Sequence, residues 1–441
     1  MPTTMPFSAD VHVRRRAQLS ALLGEGIAIV PTAPERIRNR DAHYPYRYDS
    51  YFYYLTGFRE PDAVLVLIGG AQPRSVLFCR EKNAEREIWD GYRHGPQAAR
   101  EQFGFDEACS MAELDARLPD LLADRPVVQV HLGADMHWDA RVLGWINAVR
   151  NRARSGVAAP GDIRDVRVLI DEMRLIKDAT EIGLMRRAGE ISAAAHCKAM
   201  LAARPGIPEY EIEALLQYEF RRHGAQAPAY TPIVAAGAHA CVLHYVENDG
   251  MLADGDLLLI DAGCELDGYA SDITRTFPVN GRFSGPQRDV YQLVLAAQAA
   301  AIAAVRPGAP WNAPHDAAVA VLARGFIDLK LLEGSLDAVL EQETYRQFYM
   351  HRTGHWLGLD VHDAGDYKKD GNWRELQPGM VLTVEPGCYI RPGPGVPDKF
   401  AHIGVRIEDD ALVTVQGCEI LSAGAPKSVA DIEALIADVR G

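Results

Sequence analysis

Cysteine is scarce and unorganised in this sequence: seven residues, an odd number, scattered and without any C-x-x-C spacing. That excludes a disulfide framework and fits reduced thiols in a cytoplasmic protein. Positive charge is in deficit. There are 46 Lys and Arg against 60 Asp and Glu, a net charge of −14, so no nucleic-acid partner is expected. No run of about 18 apolar residues occurs, so no membrane span is expected. The opening stretch MPTTMPFSADVHVRRR has no apolar core of the kind a signal peptide needs. No glycine-rich phosphate loop follows a strand in the first third, so no nucleotide site is expected there.

What is present suits a soluble globular chain of 441 residues, 48% hydrophobic and 24% charged, long enough for more than one core. The first third alternates. Residues 12–23 read as a helix, and Gly26–Val30, Ala63–Ile68, Ser75–Cys79 and Val127–Leu132 read as strands. Ser110-Met-Ala-Glu113 is a capping box opening a helix with Leu114, Leu118, Leu121 and Leu122 on one face. This predicts an α/β N-terminal domain over residues 1–172, with the turn-rich stretch 151–165 as linker and a strand over Val166–Ile170. The aromatic run Tyr44–Phe58 is either packing or a contact surface. Trp89 is either surface packing or an anchor into a neighbouring subunit.

Residues 173–441 carry an internal repeat. Asp178 and Glu181 form a capping box for a helix that stops at Arg204-Pro205-Gly206, and a second helix begins near Pro208 and stops at Gly224. Ser284 and Gln287 cap another helix, which stops at Arg306-Pro307-Gly308, and its partner begins near Pro314. Strands follow each pair: Asp256–Cys264 in the first half, Gly379–Cys388 in the second. Aligned on the shared Gly-Cys, Asp261 falls on Glu385, and Asp272 and Glu408 fall on the next strand of each half. The expectation is an α+β domain of two pseudo-twofold halves, each supplying carboxylates to a central cleft.

Five residues stand out: Asp261, Asp272, His355, Glu385 and Glu408, each in a strand or at a strand end. Asp261 and Asp272 are spaced for an antiparallel pair with their carboxylates across from each other. Four carboxylates among apolar strands are very costly without neutralising partners. Two divalent cations carry +4 against their −4. Oxygen-rich ligation with one imidazole suits Mn²⁺ best, with Co²⁺ and Zn²⁺ as alternatives. His355 lies in H-R-T-G-H-W-L-G-L-D-V-H-D, residues 351–363, where Gly354 and Gly358 allow close backbone approach. His244, in V-L-H-Y, is a weaker candidate. Cys264 and Cys388, near these ligands, read as small buried residues.

Residues 351–363, with D-A-G-C-E-L-D-G-Y-A-S-D-I-T-R-T-F, V-E-P-G-C-Y and G-V-R-I-E-D-D, resemble aminopeptidase P, a proline-specific pita-bread metallopeptidase related to prolidase and methionine aminopeptidase. The stretch Y-P-Y-R-Y-D-S-Y-F-Y-Y-L-T-G-F extends the resemblance to the N-terminal domain. The resemblance implies a pita-bread catalytic domain that hydrolyses the bond before a penultimate proline, with a hydroxide bridging two metals. Asp261 would bind one metal, His355 and Glu385 the other, and Asp272 and Glu408 both. His244, His351 and His362 would line the substrate site, Glu385 would shuttle a proton, and Arg406 would support a ligand. Tyr389 and Arg154 would lie near the proline side or the domain interface. Trp89 would reach a neighbouring subunit of a homo-oligomer, a dimer or tetramer. Arg352 departs from the small residue common there, and it bears on substrate length. Proline-containing peptides are the implied partners. The rival readings are an Xaa-Pro dipeptidase and a non-catalytic peptide-binding module.

Overall fold

The structure is a computed structural model and describes residues 9–440. The chain divides into two compact units between Arg174 and Leu175.

The first unit is built on a six-stranded mixed sheet. Its order is Glu107–Ser110, Arg74–Cys79, Val64–Ile68, Ile27–Pro31, Val127–Val130 and Asp162–Asp165. The central strands are apolar on both faces and completely buried at Val64–Ile68, which places them inside a layered core. Leu114, Leu118 and Leu122 of one helix and Val142, Ile146 and Val149 of another pack on one sheet face. The Ser110–Glu113 capping box forms, but it opens a 3-10 turn that leads into the helix Leu114–Leu122. Within the aromatic run, Asp49 caps the helix Ser50–Thr56, and Phe52, Tyr53 and Tyr54 are buried. For these three residues, packing is the role.

Two expectations fail at the end of this unit. Residues 162–165, placed in the linker, form the edge strand of the sheet. Val166–Ile170, placed in a strand, enters the helix Arg167–Leu175. The reason is local. Asp165 accepts from the Arg167 backbone N–H at 2.9 Å and so caps a turn that β-branched composition alone does not reveal.

The second unit shows the repeat. Helices Ala179–Ala202 and Glu209–Arg222 precede a sheet of Ile233–Ala236, Leu257–Asp261 and Thr274–Pro278. Helices Gly285–Ala304 and Ala313–Asp328 precede a sheet of Val381–Val384, Asp409–Val413 and Cys418–Ile420, with Gly387–Ile390 paired to Ile403–Arg406. Both capping boxes, at Asp178 and Ser284, are formed. The halves join where Thr274 and Thr276 meet the end of Ile403–Arg406. Glu408 N–H donates to Thr274 O at 3.1 Å, and the Thr276 hydroxyl donates to Arg406 O at 2.9 Å. Apolar residues of both halves form one core around this seam. Among the described residues, no helix is long and apolar enough to cross a membrane.

Candidate active site

Three of the five ligand candidates sit where an apolar strand stops. Asp261 ends Leu257–Asp261, Glu385 follows Val381–Val384, and Glu408 lies between Ile403–Arg406 and Asp409–Val413. Apolar strands thereby deliver carboxylates into the middle of the domain. Two placements differ from expectation. Asp272 precedes its strand, so Thr274 and not Asp272 stands opposite Asp261. A Cβ on Gly263 would lie 1.7 Å from Ser271 O, so glycine alone permits the close approach that brings Asp272 alongside. His355 lies in a loop, not a strand, just before the isolated bridge Trp356–Leu382. That loop is stitched to Val381–Val384 by Thr383 N–H to His355 O at 2.9 Å and Glu385 N–H to Thr353 O at 2.8 Å. A Cβ on Gly354 would meet Thr383 O at 2.1 Å. His355 and Glu385 are therefore held side by side by backbone.

The five groups converge. Ligand atoms of Asp272, His355 and Glu408 all lie within 4.8 Å of one another. His355 Nε2 is 3.5 Å from Asp272 and 3.8 Å from Glu385. His355 Nδ1 faces the Trp356 carbonyl at 2.9 Å. A carbonyl only accepts, so Nδ1 carries the hydrogen and Nε2 is aimed at the carboxylates. Tyr230, which the sequence reading missed, sets its single hydroxyl hydrogen between Asp261 and Asp272, each carboxylate oxygen 2.5 Å away. Its only sequence signal is an aromatic residue in the turn A-P-A-Y-T-P. Thr274, also missed, donates to Glu408 at 2.6 Å.

The electrostatics show what this cluster needs. Burial, then the neighbouring carboxylates, pushes Glu385 up to about 7 and Glu408 well above the carboxylate range. Burial also raises Asp261, against the opposing Arg406. Burial favours the neutral form of Asp272 as well, but hydrogen bonds from His355 and Tyr230 outweigh it and its pKa is lowered. Burial likewise opposes a charge on His355, yet Asp272 and Glu385 raise it to about 9. Four acids crowded in one buried site favour cations there. The donor set of carboxylate oxygens and one imidazole fits divalent ions of the Mn²⁺ class.

Behind the ligands runs a relay. Arg406 Nη2 donates to Asp261 at 2.5 Å, its Nη1 donates to Tyr389 Oη at 3.0 Å, and Tyr389 Oη lies 2.9 Å from His351 Nε2. His351 Nδ1 faces the Arg352 carbonyl at 2.7 Å, so Nε2 accepts from the tyrosine hydroxyl. Burial, with Arg406 next, lowers His351 to about 3 and keeps it neutral.

A cavity of about 930 Å³ opens on the cluster. His244, His351, His362, Arg352 and Arg406 line it beside the acids, with Trp311, Tyr367 and Trp373 as aromatic wall. Tyr389 is buried and does not line it; it works through Arg406 and His351. Trp89 and Arg154 are not among the lining residues. Both belong to the first unit, where Trp89 stands 81% exposed on the short helix Ala84–Asp90 and Arg154 lies in the 3-10 turn Ala153–Ser155.

The profile of metallopeptidase family M24 matches residues 183–415, which include all five acidic and imidazole ligand candidates. The chain belongs to metallopeptidase family M24. The aminopeptidase P N-terminal domain matches residues 12–131. The chain is 44% identical to the Xaa-Pro aminopeptidase of Escherichia coli, over 97% of each chain. It is 47% identical to that of Haemophilus influenzae, over 91% of each. Among solved structures, Pseudomonas aeruginosa aminopeptidase PepP superposes with a TM-score of 0.97 at 52% identity, covering 99% of this chain and 100% of that one. An E. coli aminopeptidase P variant in complex with substrate superposes with a TM-score of 0.96 at 44% identity, covering 98% and 99%. The chain is thus an M24 metallo-exopeptidase of the aminopeptidase P type, with the pita-bread fold.

Proposed function

We propose that this protein is an Xaa-Pro aminopeptidase, releasing the first residue of peptides whose second residue is proline. The observation that carries this is the convergence of Asp261, Asp272, His355, Glu385 and Glu408 at one wall of a cavity also lined by His244, His351 and His362. Two divalent ions, best Mn²⁺, would be held by those five residues, Asp272 and Glu408 being shared. Such ions polarise a carbonyl and make water nucleophilic near neutral pH.

The chain's own groups account for the rest. The acidic wall holds the free α-amino group and so enforces action at the N-terminus. Neutral His351, fixed by Tyr389, and the cavity-facing His244 and His362 place the scissile carbonyl and stabilise its developing charge. Glu385 Oε2, which lies 3.7 Å from His351 Nδ1, passes a proton to the leaving proline nitrogen. That nitrogen carries no hydrogen in the substrate, so binding rests on shape, and the aromatic wall of Trp311, Tyr367 and Trp373 supplies it. The proposed assembly is a homo-oligomer in which exposed Trp89 meets a neighbouring copy.

The deciding experiment is amino-acid release by the Mn²⁺-loaded protein from an Xaa-Pro dipeptide and an Xaa-Pro-Pro tripeptide in parallel. Faster cleavage of the tripeptide is expected. Cleavage of the dipeptide alone would overturn the aminopeptidase reading in favour of a dipeptidase. No release from either, with metal bound, would favour a binding module.

Two variants test the roles. His362→Ala is expected to lower kcat by about 100-fold while metal content stays unchanged, since His362 is placed on the substrate and not on the ions. Loss of metal in that variant would contradict the assignment. Arg352 donates to Asn312 Oδ1 at 3.0 Å, lies 5.5 Å from the Trp373 ring centroid, and has no carboxylate partner among the described residues. That leaves it able to bind a peptide carboxylate. Arg352→Ala is expected to raise KM for the tripeptide by roughly tenfold with kcat unchanged. An unchanged KM would remove Arg352 from the substrate site.

A further inference from the structure

His244 is placed on the cavity without a hydrogen bond of its own among the described residues; the loop that carries it sets its position. That loop joins Ile233–Ala236 to Leu257–Asp261. His244 is exposed on it, next to the buried Tyr245. What fixes the loop is Glu209, the first residue of the helix Glu209–Arg222 and completely buried.

Among the described residues, every hydrogen bond of the Glu209 carboxylate goes to this loop or its entry. Oε1 accepts from Ala236 N–H at 2.7 Å and faces His239 Nδ1 at 3.0 Å. Oε2 accepts from the Tyr245 hydroxyl at 2.8 Å and from Gly250 N–H at 2.8 Å. Glu209 N–H in turn donates to Gly250 O at 2.8 Å, closing the far end of the loop. One carboxylate thus ties residue 236, residue 250 and the neighbour of His244 to a single point. The His239 ring stacks on Tyr245 with centroids 4.3 Å apart. Gly250 has no room for a side chain, since a Cβ would lie 2.9 Å from Glu209 Oε2. A helix N-terminus favours the negative charge, and the four donors satisfy it.

A second anchor, Asn248, accepts from Val234 N–H and donates to Glu213 and Pro232 O, each at 2.9 Å. It fixes the outgoing limb of the loop. Glu209 reaches the residue adjoining His244 from outside the loop, while Asp249, on the loop itself, lies 3.2 Å from the same Tyr245 hydroxyl.

We propose that Glu209 is a positioning residue for His244. Its carboxylate acts through the Tyr245 hydroxyl and the two ends of the loop to hold the imidazole against the substrate cavity. The inference rests on His244 contacting the substrate of an Xaa-Pro aminopeptidase. A group misplaced by about 1 Å can cost about 100-fold in rate, so a loosened anchor has a large kinetic effect.

The test is a double-mutant cycle on the full-length Mn²⁺-loaded protein with an Xaa-Pro-Pro tripeptide. Glu209→Gln is expected to lower kcat/KM about tenfold or more, approaching His244→Ala, with metal content unchanged. In the His244→Ala background the same change is expected to cost almost nothing further. A structural role alone would lower activity equally in both backgrounds, and that result would overturn the proposal. So would unaltered activity of Glu209→Gln. If Glu209→Gln does not fold, Tyr245→Phe, which removes only the hydroxyl that meets Glu209 and Asp249, decides by the same comparison. An inactive wild-type protein would overturn the aminopeptidase reading itself, and this inference with it. Additivity in an active protein would overturn this inference alone.

Discussion

Asp272→Ala is expected to bind less metal than the wild-type protein and to cut kcat/KM by about three orders of magnitude or more. The scale is that of several kcal/mol of charge stabilisation at about 1.4 kcal/mol per tenfold. The position of Asp272 gives the reason. Its Oδ1 shares the Tyr230 hydroxyl with Asp261, on the first half of the repeat, at 2.5 Å. Its Oδ2 faces His355 Nε2 of the second half at 3.5 Å. It therefore stands between the two ligand groups, as a shared ligand must. The Asp272 backbone N–H is 3.2 Å from both oxygens of buried Asp410, which fixes it from behind. Alanine removes both oxygens and leaves the remaining acids to either side. Metal content by elemental analysis and tripeptide hydrolysis, measured on the same sample, check this. Full metal and full activity would rule out a bridging Asp272.

The second large effect is on stability. Arg275 and Asp409 are completely buried and paired at 2.6 Å. Arg275 also donates to Glu408 O at 2.5 Å and to Ala425 O at 2.9 Å. Asp409 further accepts from Lys427 at 2.6 Å, Ser422 at 2.8 Å and Gln298 at 3.0 Å. Removing one partner of such a pair leaves an undercompensated charge in the core, which costs about 3–5 kcal/mol. Arg275→Met is expected to show that loss in urea unfolding, with Tm lower by roughly 10 °C. Because Arg275 holds the carbonyl of Glu408, metal affinity falls too. Replacing both partners, Arg275→Met with Asp409→Leu, is expected to recover only part of the stability, since the pair of charges is gone but Lys427, Ser422 and Gln298 lose their acceptor. A single variant within about 1 kcal/mol of wild type would contradict this account.

Local signals carried far because they are physically local. The capping boxes at Asp178 and Ser284 formed because a side chain reaches its own next turn without help from the rest of the chain. The helices ended before the two R-P-G stops because proline lacks the donor and glycine takes positive φ, +89° at Gly206 and +78° at Gly308. The same type of signal misled at Val166–Ile170. There β-branched composition suggested a strand, and one cap from Asp165 made a helix.

The sequence by itself determined the kind of site. Its acids lie in or beside apolar strands, repeat across two halves, and accompany a histidine cluster, and a charge balance with two cations follows from residue types alone. Only the tertiary structure decided the arrangement. It moved Asp272 off the position opposite Asp261, because Gly263 lets Ser271 approach more closely than any side chain would allow. It made Tyr389 the link between Arg406 and His351. It brought in Tyr230 and Glu209, whose partners lie up to 42 positions away. Such hydrogen bonds join strand ends and loops that are neighbours only after the halves pack, and neither periodicity nor spacing encodes them.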